Sequence, residues 1–327
     1  MRQEFKSAWA VLGSLGGLRL QSLTGLVNQD GLDALEPSLD GLAASLRRLD
    51  LDTRGFPDPF NPQALHFASR LSSLEALTIR AAFVHIGGDI RYLSVLTALH
   101  ALPRLRSLEI DFPPPDLATL ARLSALTELK LVLPRGWRGV APPKGAFAAV
   151  TKLACTSCVS VYDIRALQAA FPAVNDAQLA FTEGSTLPAA PGPVPWRLRR
   201  LVLENYLQAP RAKRPPLIPL MHALGCGGGP DSRLTVLSLP PSYADVAWLT
   251  NDDFAGVLQT HPRLRIFIFR HLALTDATFV ACPRHTALRR AHITVHYSRA
   301  GRLTAAGRRA AKAVLPNAQL EEQSWGG

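Results

Sequence analysis

Two copies of one leucine spacing lie in residues 105–131, which read LRSLEIDFPPPDLATLARLSALTELKL. Each copy has an apolar residue, two variable residues, a second apolar residue, one variable residue and a third apolar residue. The copies are Leu105-Leu108-Ile110 and Leu126-Leu129-Leu131. The final apolar-x-apolar part has the period of two that buries one face of a short β-strand. The stretch therefore predicts two strands joined by a connecting segment.

The same spacing recurs along most of the chain, which makes it an internal repeat. Ten further copies are Leu15-Leu18-Leu20, Leu46-Leu49-Leu51, Leu74-Leu77-Ile79, Val150-Leu153-Cys155, Val174-Ala177-Leu179, Leu198-Leu201-Leu203, Leu234-Leu237-Leu239, Leu264-Phe267-Phe269, Leu288-Ala291-Ile293 and Leu315-Ala318-Leu320. The first positions of successive copies are 31, 28, 31, 21, 24, 24, 24, 36, 30, 24 and 27 residues apart. We therefore expect twelve strands with connections of unequal length.

The connecting segments carry helical signals. Ile164, Leu167 and Phe171 share one helix face, and we expect Asp163 to cap that helix. Residues 251–258, NDDFAGVL, repeat the arrangement. Prolines at positions 103, 172 and 262 each precede the next motif by two residues, where a proline prevents a helix from continuing. The predicted unit is thus a strand, a turn and a helix that a proline often ends.

This pattern resembles the leucine-rich-repeat superfamily, and its irregular units are most similar to ribonuclease-inhibitor-like and F-box-associated members of plants and green algae. The resemblance covers about residues 15–320. It implies an α/β fold: a leucine-rich-repeat solenoid, or horseshoe, with a concave parallel sheet, outer helices and about 11–12 irregular repeats. We expect a single domain over residues 1–327, with 304–327 as a C-terminal cap. The family often has Asn or Cys three residues after the last leucine, and only Cys158 fits well, so we expect a less regular coil.

The net charge of +11 is unevenly distributed. Residues 1–163 have 17 Lys+Arg and 15 Asp+Glu, whereas residues 164–327 have 19 and 10. A basic half can attract nucleic acid, an acidic protein or an anionic membrane. Only six of the 36 basic residues are lysine, and biased codon usage is the explanation that we favour. The charge-free run at 7–18 is interpreted as a repeat and not a leader, and no run has the roughly 18 apolar residues of a membrane span.

The four cysteines are too few for a disulfide framework and favour a reducing, cytoplasmic location, with the nucleus and cilium as alternatives. Cys155 and Cys158 form a C-x-x-C without a second pair, and we interpret them as packing positions. The glycine run at 225–229 lacks the Lys of a phosphate-binding loop. His292 and His296, on a strand and its end, need not converge on a metal. We therefore predict no enzyme, no metal site and no cofactor.

Strand alternation places the variable residues of each motif on the outer, concave sheet face. The early face is mixed with an acidic lean, and the late face is basic with an apolar patch. A second candidate surface is a loop rim at 54–62, 134–144 and 210–216, of which the last two loops are basic. The candidate partner-binding residues are Arg48, Asp50, Asp52, Arg80, Glu109, Asp111, Glu128, Lys130, Trp137, Ile266, Ile268, Arg270, Arg290 and His292.

These surfaces predict a non-enzymatic protein-interaction scaffold that binds a protein partner of unknown identity. The F-box resemblance implies a narrower alternative, the substrate-recognition part of an ubiquitin ligase with a ligase adaptor as partner. The repeats begin by Leu15 and leave no room for an F-box before them, which speaks against it. Nucleic-acid binding through the basic C-terminal half ranks third, because no aromatic stacking platform is evident and Tyr297 is the nearest candidate.

Overall fold

The computed structural model describes residues 19–26, 39–53, 62–80, 96–111, 117–132, 143–159, 161–181, 196–204, 216–239, 250–271, 276–280, 282–295 and 304–324. The chain divides into two compact units. The N-terminal unit is Met1–Thr156 with Ala169–Phe171, and the C-terminal unit is Ser157–Gln168 with Pro172–Gly327.

Parallel strands in chain order form the sheet of the N-terminal unit, each paired with the next. Its strands are β1 Ser22–Leu26, β2 Arg48–Asp52, β3 Ala76–Arg80, β4 Ser107–Ile110, β5 Glu128–Leu131 and β6 Lys152–Val159. Short helical segments connect them: α1 Leu39–Leu42, two 3-10 helices at Pro62–Arg70 and Leu99–Ala101, and α2 Leu117–Leu120. The helix α3, Val161–Ala170, follows β6.

The C-terminal unit repeats the arrangement with longer helices. Its strands are β7 Asp176–Phe181, β8 Arg200–Glu204, β9 Val236–Ser238, β10 Ile266–His271, β11 Arg290–Val295 and β12 Gln319–Ser324, again parallel and in chain order. The helices are α4 Leu217–Ala223, α5 Asn251–Thr260, α6 Asp276–Val280 and α7 Ala305–Val314. Strands that pair only with their neighbours in sequence, joined through helical segments, make the fold a leucine-rich-repeat solenoid.

The ten internal copies of the motif are confirmed, since each coincides with a strand in the predicted register. Leu49, Leu77, Leu108, Leu129 and Leu153 align across β2 to β6. All five are at most 2% exposed, and the degenerate copy at Val150 and Cys155 is equally buried. Burial of the aliphatic motif residues therefore stabilises the stacking of neighbouring repeats. Each fully buried Leu, Ile or Val side chain contributes roughly 1.5–3 kcal/mol to the free energy of folding.

The two end copies were predicted in the wrong register. In β1, Leu23 aligns with Leu49, so Leu20 and Leu23 are the first two motif positions and not Leu15 and Leu18, which lie outside the described residues. In β12, Leu320 aligns with Ala291, where Ala318 was expected. Gly25 of β1 aligns with Leu51, and Glu322 of β12 aligns with Ile293, so neither end strand has an apolar residue at the third motif position and the leucine spacing selected another register.

A row of backbone hydrogen bonds joins successive repeats at the start of their strands. One carbonyl in each repeat accepts hydrogen bonds from two successive N–H groups of the next repeat. For example, Arg47 O accepts from Glu75 N at 2.8 Å and from Ala76 N at 2.9 Å. The same pair of hydrogen bonds recurs at the carbonyls of Gln21, Glu75, Arg106, Thr127, Asn175, Arg199, Thr235 and Arg265. We call this row the strand-start ladder. It keeps neighbouring strands in register without a particular side chain.

Helix ends follow local capping chemistry. The helix α5 begins behind Thr250, whose side chain accepts from Asp253 N while Asp253 accepts from Thr250 N, a complete capping box. The predicted Asp163 cap is wrong, because α3 begins two residues earlier at Val161 and Asp163 lies inside the helix. Ile164 and Leu167 are buried as predicted.

The glycine run at 225–229 ends α4. Gly225 has φ 87°, its N–H donates to His222 O at 3.0 Å, and Cys226 N–H donates to Met221 O at 2.9 Å. These two bonds form a Schellman motif, which needs a left-handed residue at the glycine position. The run is therefore a helix stop.

Candidate functional site

The outer sheet face of the N-terminal unit carries a row of alternating charges. Arg80 Nη1 lies 3.2 Å from Asp50 Oδ1, and Arg80 Nε lies 3.4 Å from Glu109 Oε1. Lys130 Nζ donates to the same Glu109 oxygen at 2.8 Å. We call Asp50, Arg80, Glu109 and Lys130 the ion-pair row. Four of the predicted binding residues therefore neutralise one another within the unit.

Two further ion pairs extend this pattern. Glu128 pairs with Lys152, and Arg47 Nη1 lies 3.2 Å from Glu75 Oε1 at the start of β2 and β3. Asp50 is only 7% exposed although it faces outward, because Arg80 folds over it. Surface ion pairs contribute about 0–1 kcal/mol each, but a row that shares Glu109 and covers Asp50 is worth more than isolated pairs.

The outer sheet face of the C-terminal unit differs at β8 to β10. Its first strands are polar: Arg200 Nη1 donates to Asp176 Oδ1 at 2.8 Å, and Gln178 Nε2 donates to Glu204 Oε1 at 2.5 Å. Four neighbouring outward positions are apolar, and Ser238 lies between Val202 and Ile268. We call Val202, Val236, Ile266 and Ile268 the valine–isoleucine patch. Val202 is 5% exposed and the other three are half-buried; Ile266 and Ile268 are the two of these residues that the sequence predicted as binding residues.

Exposed arginines border this patch where the strands begin. The strand-start ladder places Arg199, Thr235, Arg265 and Arg289 side by side, one directly before each of β8 to β11. A second row stands two residues earlier. We call the six arginines of both rows the arginine rim: Arg197, Arg199, Arg233, Arg263, Arg265 and Arg289. All six are exposed, and among the described residues none of them forms an ion pair.

The remaining predicted site residues are placed as follows. Arg48 and Arg290 are exposed, whereas Asp52 and Asp111 are half-buried. Trp137 lies outside the described residues, as do the side chains of Arg270 and His292 and nearly all of the three predicted rim loops. The structure thus unites Asp50, Arg80, Glu109 and Lys130, and separately Ile266 and Ile268, while the other candidates remain predictions.

Sequence reasoning missed Val236 and the arginine rim. The signal for Val236 was present, since it occupies the outward position between Leu234 and Leu237 in the motif. The sequence pattern gave a weaker signal for the arginine rim. Arg199, Arg265 and Arg289 each follow the first leucine of a motif, a position that the strand alternation assigns neither to the core nor to the middle of the sheet. Its alignment becomes visible only through the strand-start ladder.

The buried titratable groups of the C-terminal unit are held inert. His261 is fully buried, its Nε2 lies 3.3 Å from Cys226 O, and desolvation lowers its pKa below the ordinary value. Burial raises the pKa of Cys282 to about 11 and raises that of Cys226 further. Within the described ranges, no three His, Cys, Asp or Glu side chains are grouped to hold a metal ion. The described helices include none with the length and apolarity needed to cross a bilayer.

Comparisons with known proteins add little to this geometry. No family model matches the sequence, and no curated protein matches it. Among solved structures, the chain is similar to an internalin (inlF) from Listeria monocytogenes, at 13% identity and a TM-score of 0.44. The match covers 91% of this chain and 78% of the internalin. The assignment of this chain to the leucine-rich-repeat fold is therefore carried by its own strand order and register.

Proposed function

We propose that the protein is a non-enzymatic protein-interaction scaffold and that it binds its partner on the outer sheet face of the C-terminal unit. The single observation that carries this proposal is the valine–isoleucine patch. Its four side chains face outward on adjacent strands, where a sheet face turned to water normally carries polar residues. Contiguous apolar side chains rimmed by polar ones are typical of interaction sites.

The contrast with the N-terminal unit supports the choice of surface. There the ion-pair row holds one outward residue on each of β2 to β5, so a partner that uses these charges would have to break those pairs before binding. The patch imposes no such cost, and covering it would remove apolar area from water at about 25 cal/mol per Å². We propose the cytoplasm as the place of this binding, because Cys226 and Cys282 are free and buried.

The test is affinity capture with the wild type beside an Ile266→Asp, Ile268→Asp double variant. The matched control is Ala76→Asp, Ala154→Asp, which adds the same two charges at half-buried outward positions of the N-terminal unit. We expect the first variant to lose proteins that the wild type and the control both retain. Circular dichroism and thermal unfolding of all three proteins show that they are folded. Retention of the same proteins by all three would refute the proposal.

The ubiquitin-ligase alternative stays a prediction from the family resemblance. It requires that the captured set include a ligase adaptor, and capture of the adaptor must survive the Ile266→Asp, Ile268→Asp change, since a substrate receptor binds substrate and adaptor through different surfaces. Mass spectrometry of the captured proteins decides this alternative directly.

A further inference from the structure

We propose that the arginine rim recognises carboxylates of an acidic segment in the partner protein, next to the valine–isoleucine patch. This inference rests on the proposed function and names the chemistry of the partner. It starts from the strand-start segments of β8 to β11, residues 197–200, 233–236, 263–266 and 287–290, which read RLRR, RLTV, RLRI and ALRR. These segments contain eight arginines and neither Asp nor Glu.

The first step of the argument is the register. Arg265 N donates to Thr235 O at 2.8 Å and Arg289 N donates to Arg265 O at 2.8 Å, so Arg265 and Arg289 lie side by side directly before two adjacent strands. Neighbouring strands are about 4.8 Å apart, which brings two like charges close together. Like charges directly opposite each other destabilise a sheet. The free protein therefore carries a local repulsion that an anionic ligand would relieve.

The second step is the lack of an internal counterion. Asp176, at the start of β7, is engaged by Arg200 at 2.8 Å. Asp231 is exposed in the turn before β9, and among the described residues it forms no ion pair with the arginine rim. In the N-terminal unit the corresponding positions hold the Arg47–Glu75 pair. Arginine clusters of this kind bind carboxylates through a bidentate fork.

The third step identifies the class of ligand. On β10, Arg265 is followed directly by Ile266 and then by Ile268 on the outer face, so that the charged and apolar contacts adjoin. A protein segment with acidic and apolar side chains satisfies both surfaces, with the apolar contacts central and the charged contacts at the edge. A nucleic acid would satisfy only the arginines, because the described face of β8 to β10 offers it no aromatic side chain for base stacking.

The experiment uses an array of 12-residue peptides in which acidic content and apolar content vary independently, probed with labelled full-length protein. The test variant is Arg199→Gln, Arg265→Gln, Arg289→Gln. The matched control is Arg104→Gln, Arg106→Gln, Arg122→Gln, which removes three exposed arginines and the same net charge from the N-terminal unit. The strongest peptides are then measured in solution by fluorescence anisotropy, with dT20 oligonucleotide as a competing anion.

We expect the strongest peptides to combine carboxylates with apolar residues and to weaken about tenfold in the test variant, with less than about twofold change in the control. Added salt should weaken them as well. The inference is overturned if no acidic peptide binds, if both variants lose binding equally, or if dT20 binds more tightly than the peptides through the same arginines. Binding of purely apolar peptides that Ile266→Asp, Ile268→Asp abolishes would overturn this inference and leave the proposed function standing.

Discussion

The two units of this protein are built from the same repeat and present different surfaces. In the N-terminal unit, Arg80 reaches Asp50 and Glu109, and charge on the sheet face is compensated within the unit. In the C-terminal unit, β8 to β10 carry an apolar patch beside arginines that form no ion pair among the described residues. The inward leucines determine the fold of both units, so the outward residues can differ without changing the fold. In one unit the outward charges pair with one another, and in the other the outward face is suited to a ligand.

The cores differ as well, and the largest expected effect comes from the aromatic core of the C-terminal unit. Phe254 of α5 contacts three rings, with centroid distances of 5.9 Å to Phe267, 5.1 Å to Phe269 and 6.0 Å to Phe279. We expect Phe254→Ala to destabilise this unit by about 3–5 kcal/mol. Urea unfolding followed by circular dichroism measures the loss. The control Phe254→Leu keeps most of the volume and should cost clearly less, and an equal loss for both would contradict the role of the ring cluster.

The second prediction breaks the ion-pair row. Arg80→Gln leaves the side chain of Asp50, which is 10% exposed, without its cation, and we expect a loss of about 1–3 kcal/mol in the free energy of unfolding. Arg48→Gln on the neighbouring strand removes an exposed arginine and should change stability by less than about 0.5 kcal/mol. Equal effects of the two changes in urea unfolding would mean that the row adds no stability.

The third prediction concerns acid. His261 lies three residues before Leu264, the first residue of its motif. The equivalent position in three repeats of the N-terminal unit holds leucine: Leu71, Leu102 and Leu123. Its pKa in the folded chain is lowered by desolvation, with backbone acceptors at Cys226 and Val257 opposing the shift and the nearby His222 and His285 adding to it. The unfolded chain therefore binds the proton more tightly than the folded chain.

The contribution of neutral His261 to the free energy of unfolding is therefore fully present above the ordinary histidine pKa of about 6.5. It falls as the pH drops from there through the folded-state pKa. His261→Leu should remove this part of the pH dependence, at the cost of the hydrogen bond to Cys226 O, about 1 kcal/mol at neutral pH. Unfolding midpoints between pH 5 and 8 measure both effects. An unchanged pH profile in the variant would contradict the assignment.

The smallest effect separates two buried thiols. Cys282 is 9% exposed with a pKa of about 11, whereas Cys226 is 2% exposed and its pKa is raised further. Only about one Cys282 thiol in a thousand is ionised at pH 8, so alkylation of the folded protein should be slow at both sites and slower at Cys226. Mass spectrometry of iodoacetamide labelling, with urea-unfolded protein as control, gives the order. Faster labelling of Cys226 would contradict it.

The sequence predicted the inward-facing residues of the strands correctly, because the positions that the leucine spacing selects are also the positions that are buried. Leu105, Leu108 and Ile110 must face inward whatever their neighbours are, so the motif places β4 correctly. The end strands could not be placed in this way, since Leu15-Leu18-Leu20 matches the motif better than Leu20-Leu23-Gly25, and only pairing with β2 distinguishes them. The ion-pair row and the arginine rim depend on contacts between strands 21 to 36 residues apart, and single-strand patterns do not encode those contacts.

The strand-start ladder also has a consequence for how such a chain tolerates change. Because its bonds join main-chain groups alone, neighbouring strands align equally well when 21 residues separate Leu108 from Leu129 and when 36 separate Leu201 from Leu237. The length of a connection is thereby uncoupled from the stacking of the coil. A foreign peptide, such as an epitope or a fluorescent tag, could be grafted between two strands while the register of the sheet is preserved.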